Sequence, residues 1–561
     1  MVTKKPNGFG RLGLAAAGIL AAFAMPAAAQ TSPSALTGKV TSEAEGAMEG
    51  VVVSAKRTGS PITVSVVSDA QGEYRFPQGR LEPGTYSLTI RAIGYDLSAP
   101  AAVDVGGQAP AQLDLSLKKT ARLSAQLSNA EWLTSIPGTA AQKKELIGCG
   151  ECHTLQRPIF SRYEAADMAK VVQRMHSHTT NAAPNHPFFL QTAAATMGNP
   201  PTKAEEDLGA YISTINLSQQ DTWSFPLKTL PRPTGKATQV IYTSYDLPRA
   251  DAAPHDAAMD AQGNIWYSDF QSPILSKLDP KTGKVTEYSI PIQKPLDKGF
   301  PTGGLQIAFD KDGNVYEGTM GQAQVVRFNP KTEKMDVWPS PDWNVGDTRV
   351  TMIDPRFASI DGKIWINEAG VAPGNTSFQL DTKTGEWTRA TLPPGSPPAY
   401  AYGIVADSHN NLYGMGMTND NIWETDAKTL KTSYYQIPTA GAGGRRGHAD
   451  PQDRLWWAEF YGNGLAMFDP ATQKITEWKV PTAFMNPYDA QFDDKTYLWA
   501  GGMSSDLVER LNTQTGEFTE YLLPRETNIR RIDVQKSADL SSAWFGDQQN
   551  GRIIHVEPLT P

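Results

Sequence analysis

Both cysteines of the 561-residue chain fall in one pentapeptide, Cys149-Gly150-Glu151-Cys152-His153. C-x-x-C-H is the spacing at which two thiols add across the vinyl groups of a haem, with the next imidazole beneath the iron as proximal ligand. A zinc site would need further thiol or imidazole ligands at matching spacing, and no second cysteine pair exists. A thioredoxin-like redox pair has no need of a histidine directly after it. The expected cofactor is one covalent haem c, held by Cys149, Cys152 and His153.

The residues around this motif must form helices to present it. Thr202-Lys203-Ala204-Glu205 is a capping box at a helix start, and Leu208, Tyr211, Ile212 and Ile215 follow on one face. Tyr163 to His178 is a second helix candidate, with Met168, Val171, Val172 and Met175 on one apolar stripe. Residues 130–217 resemble a monohaem cytochrome c domain. The resemblance implies a distal methionine on the loop before the last helix, which is Met197 in Ala195-Thr196-Met197-Gly198-Asn199-Pro200. A thioether there raises the iron potential and suits electron transfer. His176, His178 and His186 are the alternatives and would lower it; Met168 and Met175 read as core.

The start of the chain reads as an export signal, residues 1–29. Lys4, Lys5 and Arg11 precede the apolar run Leu12–Met25, which ends before Ala27-Ala28-Ala29. An uncleaved anchor is the alternative. No later stretch approaches 18 apolar residues, so no membrane span is expected in the mature chain. With a haem motif, the expected compartment is the periplasm. The formal charge of −8 argues against a nucleic-acid partner that relies on a general basic field. Hydrophobic residues at 40% rule out global disorder, while 48 Gly, 41 Pro and 9% aromatic residues point to many short strands.

Residues 36–118 read as a small all-β unit. Val51-Val52-Val53-Ser54-Ala55, Ser68-Asp69-Ala70-Gln71-Gly72-Glu73-Tyr74-Arg75-Phe76 and Leu81-Glu82-Pro83-Gly84-Thr85-Tyr86 alternate strands with turns. The series resembles the carboxypeptidase regulatory-like domain, which implies a β-sandwich used for spacing or docking. A proline-bearing linker, 218–237, follows the helical segment.

From 238 to 561 the chain repeats an aromatic strand, a turn such as Asp279-Pro280-Lys281-Thr282-Gly283, a second strand and a proline. Units begin at Ile265, Val315, Ile364, Leu412, Leu455, Leu498 and Ala543. That spacing suits four strands per unit and a seven-bladed β-propeller. The last unit lacks its outer strand, and Thr238–Pro248 is expected to supply it and close the ring. The whole is thus expected to be multidomain and mainly β: a sandwich, an all-α cytochrome c domain and a propeller. The phrases Leu455-Trp456-Trp457-Ala458-Glu459, Asp312-Gly313-Asn314-Val315-Tyr316 and Asp361-Gly362-Lys363-Ile364-Trp365 resemble the streptogramin lyase (virginiamycin B lyase) family over 239–561. The resemblance implies a divalent metal and a His/Glu set; Glu459 matches the acidic position after the aromatic strand, and Asp269 and Glu368 also carry an acid there. A complete His/Glu set does not align.

The first residues of inner propeller strands face the central channel, where ligands usually bind. These are expected to be Pro254-His255-Asp256, Gly303-Gly304-Leu305-Gln306, Pro355-Arg356-Phe357, Tyr400-Ala401-Tyr402, Arg445-Arg446-Gly447-His448, Pro487-Tyr488-Asp489 and Arg530-Arg531-Ile532-Asp533. Such a funnel suits a polar or anionic small-molecule substrate, with His255 and His448 as candidates for proton transfer or for hydrogen bonds between blades. Three functions follow: a haem-linked oxidoreductase serving a periplasmic redox partner, a metal-dependent lyase with an accessory haem, or a non-enzymatic electron-transfer and docking protein.

Overall fold

The computed structural model describes residues 34–561 except 107–108, 179–181, 183–197, 218–222, 296–302, 370–375, 391–400 and 538–539. Met197 and His186, both considered above as haem ligands, lie outside the described residues.

The N-terminal unit is a sandwich. Strand Ser34–Ser42 pairs antiparallel with Glu73–Pro77 and parallel with Leu115–Lys119. The facing sheet runs Ile62–Val67, Val52–Arg57, Gly84–Arg91, Ala101–Val105. Alternate residues Tyr86 and Leu88 point inward to meet Leu36, Val40, Val53, Tyr74 and Phe76 in one core, as the period of two demands.

The C-terminal unit is the expected propeller of seven four-stranded blades. Blade 1 comprises Pro254–Met259, Ile265–Asp269, Ile274–Asp279 and Lys284–Ser289. The inner strands of blades 2 to 7 are Gly304–Phe309, Arg349–Asp354, Ala401–Ala406, Gly444–Ala449, Pro487–Phe492 and Ile529–Gln535. The repeated turn has a local cause: Asp279 Oδ1 accepts from Lys281 N at 2.9 Å, Thr282 Oγ1 donates to Asp279 Oδ2 at 2.8 Å, and Gly283 takes φ 73°.

The ring closes as expected. Strand Val240–Asp246 lies against the last strand, Arg552–Pro558, with Tyr242 opposite Val556 and Ser244 opposite Ile554. Its other edge is not free, a feature the sequence reading did not anticipate. Ile62–Val67 of the sandwich pairs antiparallel with it, Ile241 opposite Val66 and Thr243 opposite Val64. Blade 7 and one sandwich sheet are therefore a single eight-stranded sheet. Arg80 grips Glu557 with two bonds of 2.7 and 2.9 Å, and Lys56 and Arg525 both reach Asp246.

Between these units stand helices α1 (Asn129–Ser135), α2 (Ala140–Cys149), α3 (Gln156–Ile159), α4 (Ala165–His176) and α5 (Lys203–Ile215). The Thr202 capping box forms, with Thr202 N donating to Glu205 Oε2 at 2.7 Å. Leu208, Tyr211, Ile212 and Ile215 bury with Met168 and Val172 from α4. Met175 departs from the expected stripe and is exposed. Part of the stretch read as a linker is packed: Trp223 meets Trp132, Phe160 and Phe225, and Leu230 N donates to buried Glu131 Oε1 at 2.8 Å. The helical core continues into Ala253, Phe270, Leu305 and Tyr488, so the helices sit on one mouth of the propeller. Among the described residues no helix is long and apolar enough to cross a membrane.

Thr243→Pro breaks the ladder in a strand paired on both sides. It is expected to cost at least about 3 kcal/mol, against little for Thr243→Val, measured by denaturant unfolding of the full chain.

Candidate functional site

Each inner strand of the propeller is irregular near its start; in blade 5 the shift falls between Gly444 and Gly447, in blade 7 between Ile529 and Ile532. A bulge re-aims side chains that strict alternation would send to opposite faces. Two successive residues of an inner strand then serve the channel, which explains why Arg445-Arg446 and Arg530-Arg531 both work in pairs.

In blades 5 and 7 the second residue of the inner strand meets the C-x-x-C-H turn. The Arg445 guanidinium lies over the rings of Tyr488 (3.9 Å), Phe460 (4.1 Å) and Tyr402 (4.8 Å) and pairs with Glu151 Oε1 at 3.2 Å. Arg530 Nη2 donates to the Glu151 carbonyl at 2.5 Å. Asn528 Nδ2 and Gln549 Nε2 each donate to the Gly150 carbonyl at 3.3 Å. The two residues between Cys149 and Cys152 are thus the ones the propeller grips.

One step deeper lies a closed polar hub. Asp256, fully buried, accepts two bonds from Arg446 at 2.6 and 2.8 Å, one from Arg531 at 3.3 Å and one from His255 Nδ1 at 2.7 Å. Burial opposes its ionisation, but Arg446, then His255 and Arg531, outweigh that and hold the carboxyl well below the usual carboxylate range. His255 Nε2 faces the Tyr488 hydroxyl at 3.3 Å, which in turn bonds Tyr402. Burial drives His255 down to about 4, with Asp256 only partly opposing, so its imidazole is neutral at pH 7. His448 sits further along the channel, its Nε2 3.2 Å from Asp489 Oδ2.

One expected placement changes. The inner strand of blade 3 is Arg349–Asp354, so Pro355-Arg356-Phe357 lies beyond its end. The cause is the long connection 355–362, where blade 1 uses only 260–264. Arg356 instead turns back to Asp354, with bonds of 3.0 and 2.6 Å, and to the Ala406 carbonyl at 3.1 Å. Glu459 ends the second strand of blade 5, where burial, then Glu477 and Asp420, push its carboxyl up to about 9. Asp269 is occupied by Arg249 and the backbone N–H groups of Gln271 and Ser272. Buried Glu368 is raised by burial to about 7. Among the described residues no three His, Cys, Asp or Glu side chains gather as a metal site.

The residues of the C-x-x-C-H motif lie together at the end of α2. Cys149 and Cys152 are unpaired and half-buried. Burial, then the neighbouring Cys152, pushes the Cys149 thiol up to about 12, and burial with Glu151 pushes Cys152 up to about 11; a redox pair would want the opposite. His153 Nδ1 lies 2.9 Å from the Thr154 carbonyl. That bond sets the tautomer with a lone pair on Nε2, the arrangement of a metal-ligating imidazole. Beside Cys152 and His153 a cleft of about 200 Å3 runs against Ala253, Gln271, Gln548 and Gln549 of blades 1 and 7. His176 lies 3.4 Å from Glu205, and His178 Nδ1 is 2.7 Å from the Arg174 carbonyl.

This is a class of molecule in which a propeller, fused through one sheet to a sandwich, carries a C-x-x-C-H turn on its channel mouth. Residues 35–118 match the model of the carboxypeptidase regulatory-like domain. Among solved structures, selenomethionine-substituted virginiamycin B lyase from Staphylococcus aureus is 19% identical, spans 57% of this chain and 99% of its own, and has a TM-score of 0.48. The catalytically inactive variant of that lyase with quinupristin gives the same figures. A streptogramin B lyase structure is 19% identical over 58% of this chain and 99% of its own, with a TM-score of 0.49. No curated protein matches the sequence.

An unfolded histidine binds its proton near 6.5, and His255 in the fold only near 4. The unfolded chain therefore takes the proton first; stability is full above about pH 6.5 and is lost as pH falls toward 4. His555, also lowered to about 4 by burial, adds in the same direction. His255→Gln is expected to flatten the fall of Tm across this window, the remainder coming from His448 and His555. Arg445→Leu leaves Glu151 unpaired and is expected to cost roughly 3 kcal/mol, read by denaturant unfolding, with Glu151→Gln costing less.

Proposed function

We propose that this chain is a periplasmic c-type cytochrome carrying haem on Cys149 and Cys152, with His153 as proximal ligand, and that its propeller binds a polar or anionic small molecule. The observation that carries the reading is the C-x-x-C-H turn itself: two protonated, unpaired thiols beside an imidazole whose Nδ1 is engaged and whose Nε2 is free to ligate. When bound, haem supplies one-electron redox chemistry, and a periplasmic redox partner is its outlet.

The chain's own residues do the positioning. Arg445, Arg530, Asn528 and Gln549 fix the Gly150-Glu151 turn between the two thiols, so the attachment site and the channel form one body. Met197 is the proposed distal ligand. The proton-transfer candidates divide by access: His255 is sealed, while His448 keeps 16% side-chain exposure and can meet a bound molecule.

Full-length protein exported from a host with haem-maturation machinery is expected to be red, with a c-type spectrum and a mass raised by one haem. Cys149→Ala with Cys152→Ala abolishes the colour, and Met197→Ala alters the spectrum without releasing the haem. Colourless protein whose two cysteines are freely alkylated refutes the reading.

A further inference from the structure

The inner strands start at the C-x-x-C-H mouth and run away from it, and the far part of the channel holds a small cleft. Gln306, Arg356, Arg446, His448 and Arg531 line it. Arg356, at 32% side-chain exposure, stands at its open side, and Arg531, at 9%, at its depth. Four carboxylates lie nearby: Asp354 and Asp256 are fully engaged, Asp489 accepts from His448 and Ile532 N through Oδ2 while its Oδ1 has no partner among the described residues, and Asp533 Oδ1 lies 3.8 Å from Arg531 Nη2. Asp354 accepts from Arg356 and from Ala406 N at 2.8 Å, and Asp256 accepts from Arg446, Arg531, His255 and Ile307 N. Two donors are left over as well. Gln306 Oε1 accepts from Ile353 N at 3.0 Å, leaving its amide N–H2 to donate. Arg531 Nε is buried with no acceptor among the described residues, and an unmade bond on a buried charged donor is a standing cost.

We propose that this cleft binds a carboxylate group, entering from the mouth opposite the C-x-x-C-H turn. Its volume is about 40 Å3, roughly three water-sized spheres at about 10–15 Å3 each, which is the size of a carboxylate rather than of a ring or a phosphoester. The forks of Arg356 and Arg446 are taken by Asp354 and Asp256, but the Nε–Nη2 edge of Arg531, whose Nη1 serves Asp256 and the Ile307 carbonyl, makes no hydrogen bond and is a planar fork that matches a planar carboxylate. The unsatisfied Arg531 donor and the Gln306 amide are what such a group would complete. The inference deepens the reading of the propeller as the ligand-binding part, and it does not use the haem.

The test is titration of the full-length protein with acetate and with sulfate at constant ionic strength, chloride making up the balance, followed by calorimetry and thermal shift. Acetate is expected to bind saturably, to raise Tm by mass action and to bind more tightly than sulfate. Arg356→Gln, at the exposed rim, is expected to weaken acetate about tenfold or more; Arg356→Lys, which keeps the positive charge at the rim, recovers most of the affinity. No saturable response beyond chloride overturns the proposal, as does acetate affinity unchanged in Arg356→Gln, or sulfate binding more tightly than acetate. Red protein without acetate binding refutes this inference alone; colourless protein that binds acetate through Arg356 refutes the haem reading alone.

Discussion

One strand holds this molecule together. Val240–Asp246 gives one edge to the last blade and the other to the sandwich. A propeller with its outer strand missing would present an open edge, and an unclosed sheet is a template for unwanted pairing. Here the ring is closed by residues far away in sequence, and the closing strand is covered in turn. The sandwich is therefore not a tethered module. Its sheet continues the blade, and ion pairs such as Arg91 with Asp506 at 2.5 Å tie it to the neighbouring blade as well.

A second constraint follows from the bulges of the inner strands. Alternation would allow each strand one channel-facing residue in two. The bulges let adjacent arginines share the axis, one serving the turn that bears the thiols and the next the hub at Asp256. Burying so much charge is costly unless every ion is paired. That requirement accounts for the density of contacts at Asp256, and for the aromatic rings of Tyr402, Phe460 and Tyr488 packed around Arg445. It also makes the C-x-x-C-H turn and the channel mechanically one unit, because Glu151 is held from the propeller side by both its side chain and its carbonyl.

Much of this was legible beforehand where the signal is local. The blade starts, the missing outer strand, the Thr202 capping box and the sandwich each rest on short-range patterns of strand, turn and cap. The failures share one cause, dependence on distant geometry. Blade 3 was misregistered because its connection runs 355–362, a length no repeat could announce. Glu459 matched a strand phrase, but its surroundings depend on which strands fold beside it, and Glu477, on the outermost strand of the same blade, raises its carboxyl. The paired roles of Arg445-Arg446 and Arg530-Arg531 carried a visible signal, two dipeptides at the same blade position, that a blade-by-blade alignment would have exposed.

By itself the sequence determined the covalent chemistry open to the chain, since thiol spacing and the adjacent imidazole are properties of five consecutive residues. It also determined the repeat, because strand and turn preferences act over a few residues. Only the tertiary structure decided that the C-x-x-C-H turn caps the channel, that the sandwich extends blade 7, and that the leftover donors converge at the far mouth. Those outcomes depend on which buried charges find partners across hundreds of residues, and pairing of that kind is settled by packing rather than by local preference.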